Sequence, residues 1–78
     1  MTNVLVTGGA GYIGSKIVSD LIKKKNKIFI IDNLSTGHRK LINKKAIFYK
    51  VNCGNKSKVS QILKQNNIKS IIHCAAFI

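Results

Sequence analysis

The 78-residue sequence has almost no acidic side chains: Asp20 and Asp32 are the only two. With 14 lysines and arginines, the formal net charge is +12. Such an excess raises the hypothesis of a nucleic-acid-binding surface. The basic residues are scattered, however, and no aromatic residues are interleaved with them to stack on bases. Lysine, isoleucine and asparagine make up 34 of the 78 residues, a bias typical of A- and T-rich codons that also accounts for the charge. We therefore expect no specific nucleic-acid partner, only weak and salt-sensitive binding of polyanions.

The sequence also lacks the features of membrane, secreted and zinc-binding proteins. No apolar run approaches the roughly 18 residues of a membrane helix, and residues 1–7 carry no basic side chain of the kind that opens a secretory leader. Cys53 and Cys74 form no Cys-x-x-Cys pair, and two histidines are too few for a zinc-ligand cluster. We predict a cytoplasmic chain without a membrane or metal partner, whose two thiols are buried as small hydrophobic groups.

Short apolar runs alternate with amphipathic segments along the chain. The runs at 4–6, 28–31, 47–51 and 70–75 predict four strands. A period of four residues from Ile13 predicts a helix before the second strand, closed by Asn26, and residues 33–45 are expected to hold a loop with a short helix. Asn55 is expected to cap a second full helix. Strands that alternate with helices indicate right-handed crossovers and a parallel sheet.

The most informative segment is the glycine-rich turn after the first strand, Thr7-Gly8-Gly9-Ala10-Gly11-Tyr12-Ile13-Gly14. It contains Gly-x-Gly-x-x-Gly from Gly9 and Gly-x-x-Gly-x-x-Gly from Gly8, in the strand–turn–helix context of the dinucleotide fingerprint. An early glycine permits the sharp turn, Gly11 lets the backbone approach a pyrophosphate, and Gly14 lets the helix pack close to the sheet. Free N–H groups at the start of the helix would face the anion.

The second part of the fingerprint is an acid at the end of the second strand, about 20 residues further on. Asp32 lies 18 residues after Gly14, at that place. Its carboxylate can accept hydrogen bonds from both ribose hydroxyls of an adenosine and would repel a 2′-phosphate, so the pattern favours NAD over NADP. The alternative interpretation is a plain glycine turn followed by a solvated strand end.

These patterns predict one fold class for residues 1–78. It is α/β, a partial Rossmann fold with a parallel sheet of about four strands in the order 3-2-1-4 and helices on both faces. The chain is expected to be the truncated, N-terminal part of a complete NAD-binding domain. A marginal core and an open edge on the fourth strand then predict self-association through that edge.

Residues 7–14 followed by Asp-Asn-Leu-Ser-Thr-Gly at 32–37 resemble the N-terminal part of the UDP-glucose 4-epimerases, an NAD-dependent family of extended short-chain dehydrogenases/reductases. The resemblance runs over the whole chain, ending at His73-Cys74-Ala75-Ala76. It implies a full-length relative that interconverts UDP-glucose and UDP-galactose through a 4-keto intermediate. By position, the cofactor-binding residues that it implies are Gly8, Gly11, Tyr12, Ile13, Gly14, Asp32, Asn33, Ser35, Thr36, Gly37, Asn52, Cys53, Cys74, Ala75 and Ala76.

Within this set the resemblance implies distinct roles. Tyr12 and Ile13 would lend backbone N–H groups to the pyrophosphate. Asn33 and residues 35–37 would line the adenosine side, and residues 74–76 would pass beside the pyrophosphate and the nicotinamide ribose. Asn52 stands where the family usually has an acid against the adenine amino group, and its amide oxygen is a weaker acceptor.

The catalytic residues of the family are absent from this sequence. The resemblance implies a Ser or Thr and a Tyr-x-x-x-Lys pair well beyond residue 78, so we expect no activity from the chain alone. Tyr12 and Lys16 match that spacing, but Tyr12 lies in the pyrophosphate turn, far from the nicotinamide. His73 is expected to be a packed, hydrogen-bonded core residue. Two hypotheses remain for the function: the cofactor-binding part of a 4-epimerase, or a free-standing NAD-binding module that works with a partner chain.

Overall fold

The computed structural model describes residues 2–34 and 38–74. Within them four parallel strands form one sheet in the order β3-β2-β1-β4, which confirms the predicted 3-2-1-4 arrangement. The elements in chain order are β1 (Asn3–Thr7), α1 (Tyr12–Lys23), β2 (Lys27–Ile31), a 3₁₀ helix (Arg39–Leu41), β3 (Ile47–Tyr49), α2 (Lys56–Gln65) and β4 (Ser70–His73).

The two helices cover opposite faces of the sheet, and each face is lined by alternate side chains of the strands. Val18 of α1 packs on the face formed by alternate residues of β1 and β2, and Ile62 of α2 packs on the other. The first face is built from Val4, Val6, Ile28 and Ile30, and the second from Leu5, Phe29 and Ile31. This arrangement brings the carboxyl ends of all four strands to one edge of the sheet.

Both helices end in the same hydrogen-bonded motif. In α1, Lys25 has a φ of 66° and the N–H of Asn26 donates to the Leu21 carbonyl. In α2, Asn67 has a φ of 49° and the N–H of Ile68 donates to the Leu63 carbonyl. These are Schellman motifs with a non-glycine residue in the left-handed position.

The start of α2 agrees with its predicted cap. The Asn55 side chain accepts a hydrogen bond from the Lys58 N–H at 3.2 Å, which satisfies one of the free donors at the helix start.

The ends of β3 and β4 differ from the predicted strands. β3 ends at Tyr49 and β4 at His73, each two residues before the end of its apolar run. The prediction that His73 belongs to the core was wrong about burial: the side chain is exposed, although its Nδ1 lies 2.6 Å from the hydroxyl of buried Thr7. β4 is the end strand of the described sheet, so its side chains lack the second neighbour that would enclose them.

Candidate functional site

The residues that the sequence singles out lie where the strands end. The glycine turn follows β1, Asp32 follows β2, Asn52 comes three residues after β3, and Cys74 follows β4. The strand order reverses at β1, because β2 lies on one side of it and β4 on the other. In open parallel sheets the crevice outside such a reversal is where ligands bind.

The glycine turn is tied to the sheet and leads directly into α1. Gly8 has a φ of 74°, which L side chains rarely adopt, and its N–H donates to the Ile31 carbonyl at 2.8 Å. The N–H of Gly11 donates to the Gly8 carbonyl at 3.0 Å and closes a tight turn. The first helical bond then runs from the Ser15 N–H to the Gly11 carbonyl at 2.9 Å.

The four glycines of the turn separate into three that the fold requires and one that it does not. Gly8 is fixed by its φ, a Cβ on Gly9 would lie 2.7 Å from Ile30 Cγ2, and a Cβ on Gly14 would overlap the Gly8 carbonyl oxygen. A Cβ on Gly11 would meet that same oxygen at 3.3 Å, which is tight but feasible, and its φ of −80° is ordinary. Of the four glycines, Gly11 is thus the one at which the fold itself tolerates a side chain most easily.

The N-terminal end of α1 has the partial positive charge of a helix start, and no acidic side chain in the first turn compensates it. Gly11 is the N-cap and offers no side-chain acceptor, and no acid lies in the first turn. Since the first helical bond starts at Ser15, the N–H groups of Tyr12, Ile13 and Gly14 have no partner inside the helix. The side chains of Tyr12 and Ile13 are each 71% exposed and leave this helix end accessible. Such a helix start attracts anions, phosphate groups in particular.

Asp32 connects the two parts of the fingerprint. Its carboxylate is buried; Oδ2 accepts from the Ala10 N–H at 3.1 Å and Oδ1 accepts from the Leu34 N–H at 2.8 Å. Each carboxylate oxygen has two acceptor positions, so one remains on each for a ribose hydroxyl. The Ala10 carbonyl in turn accepts from the His38 N–H at 3.0 Å. Residues 22 positions apart in the sequence thus form one hydrogen-bonded unit.

The structure describes only some of the other residues that the resemblance places on the adenosine side. Asn33 is exposed directly after Asp32, whereas Ser35, Thr36 and Gly37 lie outside the described residues. Asn52 is exposed, and its side-chain oxygen already accepts from the Gly54 N–H at 2.8 Å, which leaves one acceptor position for an adenine amino group.

The two thiols are less enclosed than predicted, since Cys53 and Cys74 are both half-buried. Cys74 continues the β1–β4 pairing through its N–H, which donates to the Thr7 carbonyl at 2.8 Å. Burial raises the pKa of the Cys74 thiol, so at neutral pH it is a neutral group beside the turn. Ala75 and Ala76 lie outside the described residues.

Sequence reasoning missed two features of this site. Ala10 contributes its backbone N–H and carbonyl, and no side-chain pattern signals such a role. The Thr7–His73 contact joins the ends of β1 and β4, and the only signal for it is the register of two strands that lie 66 residues apart.

Other chemistry has little support in the part of the chain that the structure describes. Residues 2–34 and 38–74 contain no group of three His, Cys, Asp or Glu side chains that could hold a metal, and no helix long and apolar enough to cross a bilayer. The Nζ of Lys16 lies 4.7 Å from the centroid of the Tyr12 ring, in a cation–π arrangement over the ring face. Both groups lie at the exposed start of α1.

Three known proteins that are similar to this chain are all UDP-glucose 4-epimerases. The chain is 46% identical over 74 residues to a UDP-glucose 4-epimerase of Lactobacillus helveticus. The aligned region covers 95% of this chain and 22% of that enzyme. A UDP-glucose 4-epimerase of Thermotoga maritima, solved with UDP-glucose, superposes with a TM-score of 0.93 at 36% identity, covering 96% of this chain and 24% of that one.

The Thermus thermophilus UDP-glucose 4-epimerase, solved in complex with NAD, gives a TM-score of 0.90 at 38% identity over 97% of this chain and 24% of that one. The chain thus spans about a quarter of the length of these relatives. Residues 4–78 match the model of the NAD dependent epimerase/dehydratase family. With the strand order, the glycine turn and the linked Asp32 all in agreement, the chain belongs to the NAD dependent epimerase/dehydratase family.

Proposed function

We propose that this chain binds NAD at the glycine turn and forms the cofactor-binding part of a UDP-sugar 4-epimerase. The observation that carries the proposal is the milder constraint at Gly11, where φ is ordinary and a Cβ would make a single tight contact. The fold accounts for the glycines at 8, 9 and 14, while a Cβ at Gly11 would meet only the Gly8 carbonyl oxygen, at 3.3 Å. A pyrophosphate that contacts the backbone at the start of α1 explains why no side chain stands there.

Asp32 gives the proposal its cofactor preference. With the Ala10 and Leu34 N–H groups on its two oxygens, the carboxylate is held in one orientation with an acceptor position free on each side. The two adjacent hydroxyls of an adenosine ribose match that arrangement, whereas a 2′-phosphate would place its negative charge against the carboxylate. NAD is therefore preferred to NADP.

Bound NAD would supply hydride chemistry, and this chain's own residues would hold it. The backbone N–H groups of Tyr12 and Ile13 would bind the pyrophosphate, Asp32 the adenosine ribose, and Asn33 the adenosine side. The family resemblance implies that the proton-transferring tyrosine and the sugar-binding residues lie beyond residue 78. We accordingly propose that the chain alone binds the cofactor and does not turn over UDP-galactose.

The binding experiment is calorimetric titration of the purified chain with NAD and NADP at moderate ionic strength. We expect weak binding that prefers NAD, is blocked by Gly11→Val and loses its preference in Asp32→Ala. Ser60→Val is the control, because residue 60 is exposed on α2 and belongs to no part of the predicted site. Equal affinity for NAD and NADP in the unmutated chain would contradict the role of Asp32. Binding that vanishes at moderate salt and is shared by heparin would mean that the charge of +12 is responsible.

A second candidate is a free-standing NAD-binding module that works with a partner chain. It is favoured by β4, which ends the described sheet and exposes 52% of Ile71 on the face covered elsewhere by α2. A partner that adds a strand there would pair the open backbone edge and cover this side chain. The two candidates differ in an activity assay: UDP-galactose turnover that requires a co-purified second chain supports the module.

A further inference from the structure

Asp32 makes more contacts inside the molecule than the binding of a ribose requires. The side chain is 9% exposed, and both of its oxygens already accept backbone hydrogen bonds without any ligand. One of them comes from Ala10, which is itself fully buried in the middle of the glycine turn. A residue that served only as a ribose ligand would need no contact with the turn that binds the phosphates.

The Ala10 contact ties the glycine turn to the end of β2. The turn has a tight bond between the Gly11 N–H and the Gly8 carbonyl, and glycine-rich backbone is costly to order. Ala10 is held from both sides, because its N–H donates to Asp32 and its carbonyl accepts from the His38 N–H. A charge-assisted bond to a carboxylate is roughly twice as strong as a neutral one, which makes Asp32 the stronger of these two anchors.

From this geometry we propose, building on the proposed function, that Asp32 is a positioning residue for the pyrophosphate turn, acting through the Ala10 N–H, in addition to its contact with the ribose. The Asp32 carboxylate orients the Ala10 peptide, and the Ala10 peptide in turn sets the direction in which residues 11–13 present their N–H groups. The same carboxylate orders Leu34, which has a φ of 64°, so the turn and the loop after β2 are arranged by one side chain.

The proposal predicts that pyrophosphate affinity changes in Asp32→Asn in the direction opposite to the one that charge alone would produce. Inorganic pyrophosphate has no ribose, so a ribose ligand is irrelevant to its binding. Removing a negative charge near an anion site should strengthen the binding of pyrophosphate by simple electrostatics. If Asp32 positions the turn, Asp32→Asn should weaken it instead, because the amide has one oxygen for two N–H groups: its NH₂ group must face either the Ala10 or the Leu34 N–H, and the remaining bond to the other is no longer charge-assisted.

The matched control is the other acid of the chain. Asp20 is exposed on α1, and Asp20→Asn changes the net charge by the same amount. We expect Asp32→Asn to bind pyrophosphate roughly three- to tenfold more weakly than the unmutated chain, the size of one lost hydrogen bond. Asp20→Asn should bind it equally or slightly more tightly. The titrations are followed by the amide resonances of residues 11–13 at fixed ionic strength, which separates binding at the turn from binding to scattered lysines.

Hydrogen exchange in the unmutated chain tests the proposal independently of whether Asp32→Asn folds. The Ala10 amide should exchange slowly, and pyrophosphate should slow it further. Rapid exchange at Ala10, or no response to pyrophosphate, would overturn the proposal. Equal or tighter pyrophosphate binding by folded Asp32→Asn would overturn it as well.

These outcomes are distinct from a failure of the proposed function. If the unmutated chain does not bind NAD but shows the expected loss of pyrophosphate affinity in Asp32→Asn, the turn is a pyrophosphate site positioned by Asp32 and the cofactor assignment fails. If NAD binds and pyrophosphate affinity does not fall in Asp32→Asn, Asp32 serves the ribose alone and the positioning role is refuted.

Discussion

Separate substitutions of Gly14 and Gly11 should distinguish a glycine that the fold requires from a glycine that NAD binding requires. Gly14 is the third residue of α1, where alanine would ordinarily gain about 1 kcal/mol of helix propensity. Its Cβ would, however, overlap the Gly8 carbonyl oxygen and lie 3.0 Å from the Gly8 carbonyl carbon and 3.2 Å from Gly9 Cα. All three are backbone atoms that cannot rotate away, so the helix must move from the sheet.

Overpacking of this kind costs about 3 kcal/mol, so the net loss in Gly14→Ala should be about 2 kcal/mol. A chain of 78 residues has a free energy of unfolding of roughly 4–12 kcal/mol, which makes this loss a large fraction. At about 4–8 °C per kcal/mol, the midpoint of thermal unfolding should fall by roughly 8–16 °C.

Gly11→Ser is the contrasting variant. The N-cap backbone is extended, with φ −80° and ψ 171°, and serine is among the best N-cap residues. Its hydroxyl would accept from the free N–H groups of α1, so stability should stay within about 1 kcal/mol of the unmutated chain. NAD affinity should nevertheless be lost, because the cap occupies the same N–H groups as the pyrophosphate.

Thermal and urea unfolding by circular dichroism, with calorimetric NAD titration, measure both effects. If Gly11→Ser lowers the free energy of unfolding as much as Gly14→Ala does, the fold itself demands glycine at 11. The argument for a ligand at that position would then fail.

Three further outcomes are expected. Lys25→Gly should raise the free energy of unfolding by about 1 kcal/mol, since φ is 66° there, while Lys24→Gly at φ −85° should not; equal effects in thermal unfolding would refute this. In a Cys53→Ser background, iodoacetamide should alkylate Cys74 more slowly in the folded chain than in urea at any pH below about 9, because burial raises the pKa of the thiol and lowers its thiolate fraction; equal rates would contradict it. Light scattering should show association that grows with salt, as screening weakens the +12 self-repulsion, and Ile71→Lys should reduce it; a monomer at every ionic strength would count against the open edge.

The sequence was sufficient for features that depend on local patterns. Val4 and Val6 alternate with Leu5, and this period of two already assigns them to opposite faces of the sheet. The cap at Asn55 followed from residue type and position. The strand order followed from alternating strands and helices together with the glycine turn.

Features that depend on distant neighbours could not be predicted in this way. His73 lies in an apolar run and was expected in the core, but the burial of a strand residue depends on what pairs beside the strand. The role of Ala10 was invisible for a different reason, because it is exercised by backbone atoms that every residue except proline shares. The carboxylate that receives its N–H lies 22 residues away, and only the folded turn brings the two groups together.

The position of β1 inside the sheet has a consequence for the order in which the chain folds. Val4 pairs with Ile28, 24 residues away, and with Ser70, 66 residues away. Closing the longer loop costs roughly 0.9 kcal/mol more in chain entropy, so we expect the β1–α1–β2 unit to form first and β4 to join late. Substitutions in β4 should then mainly accelerate unfolding, whereas those at Val4 should slow folding. A nascent chain would expose one side of β1 until β4 has been synthesised, which makes that side the region most open to pairing with another chain.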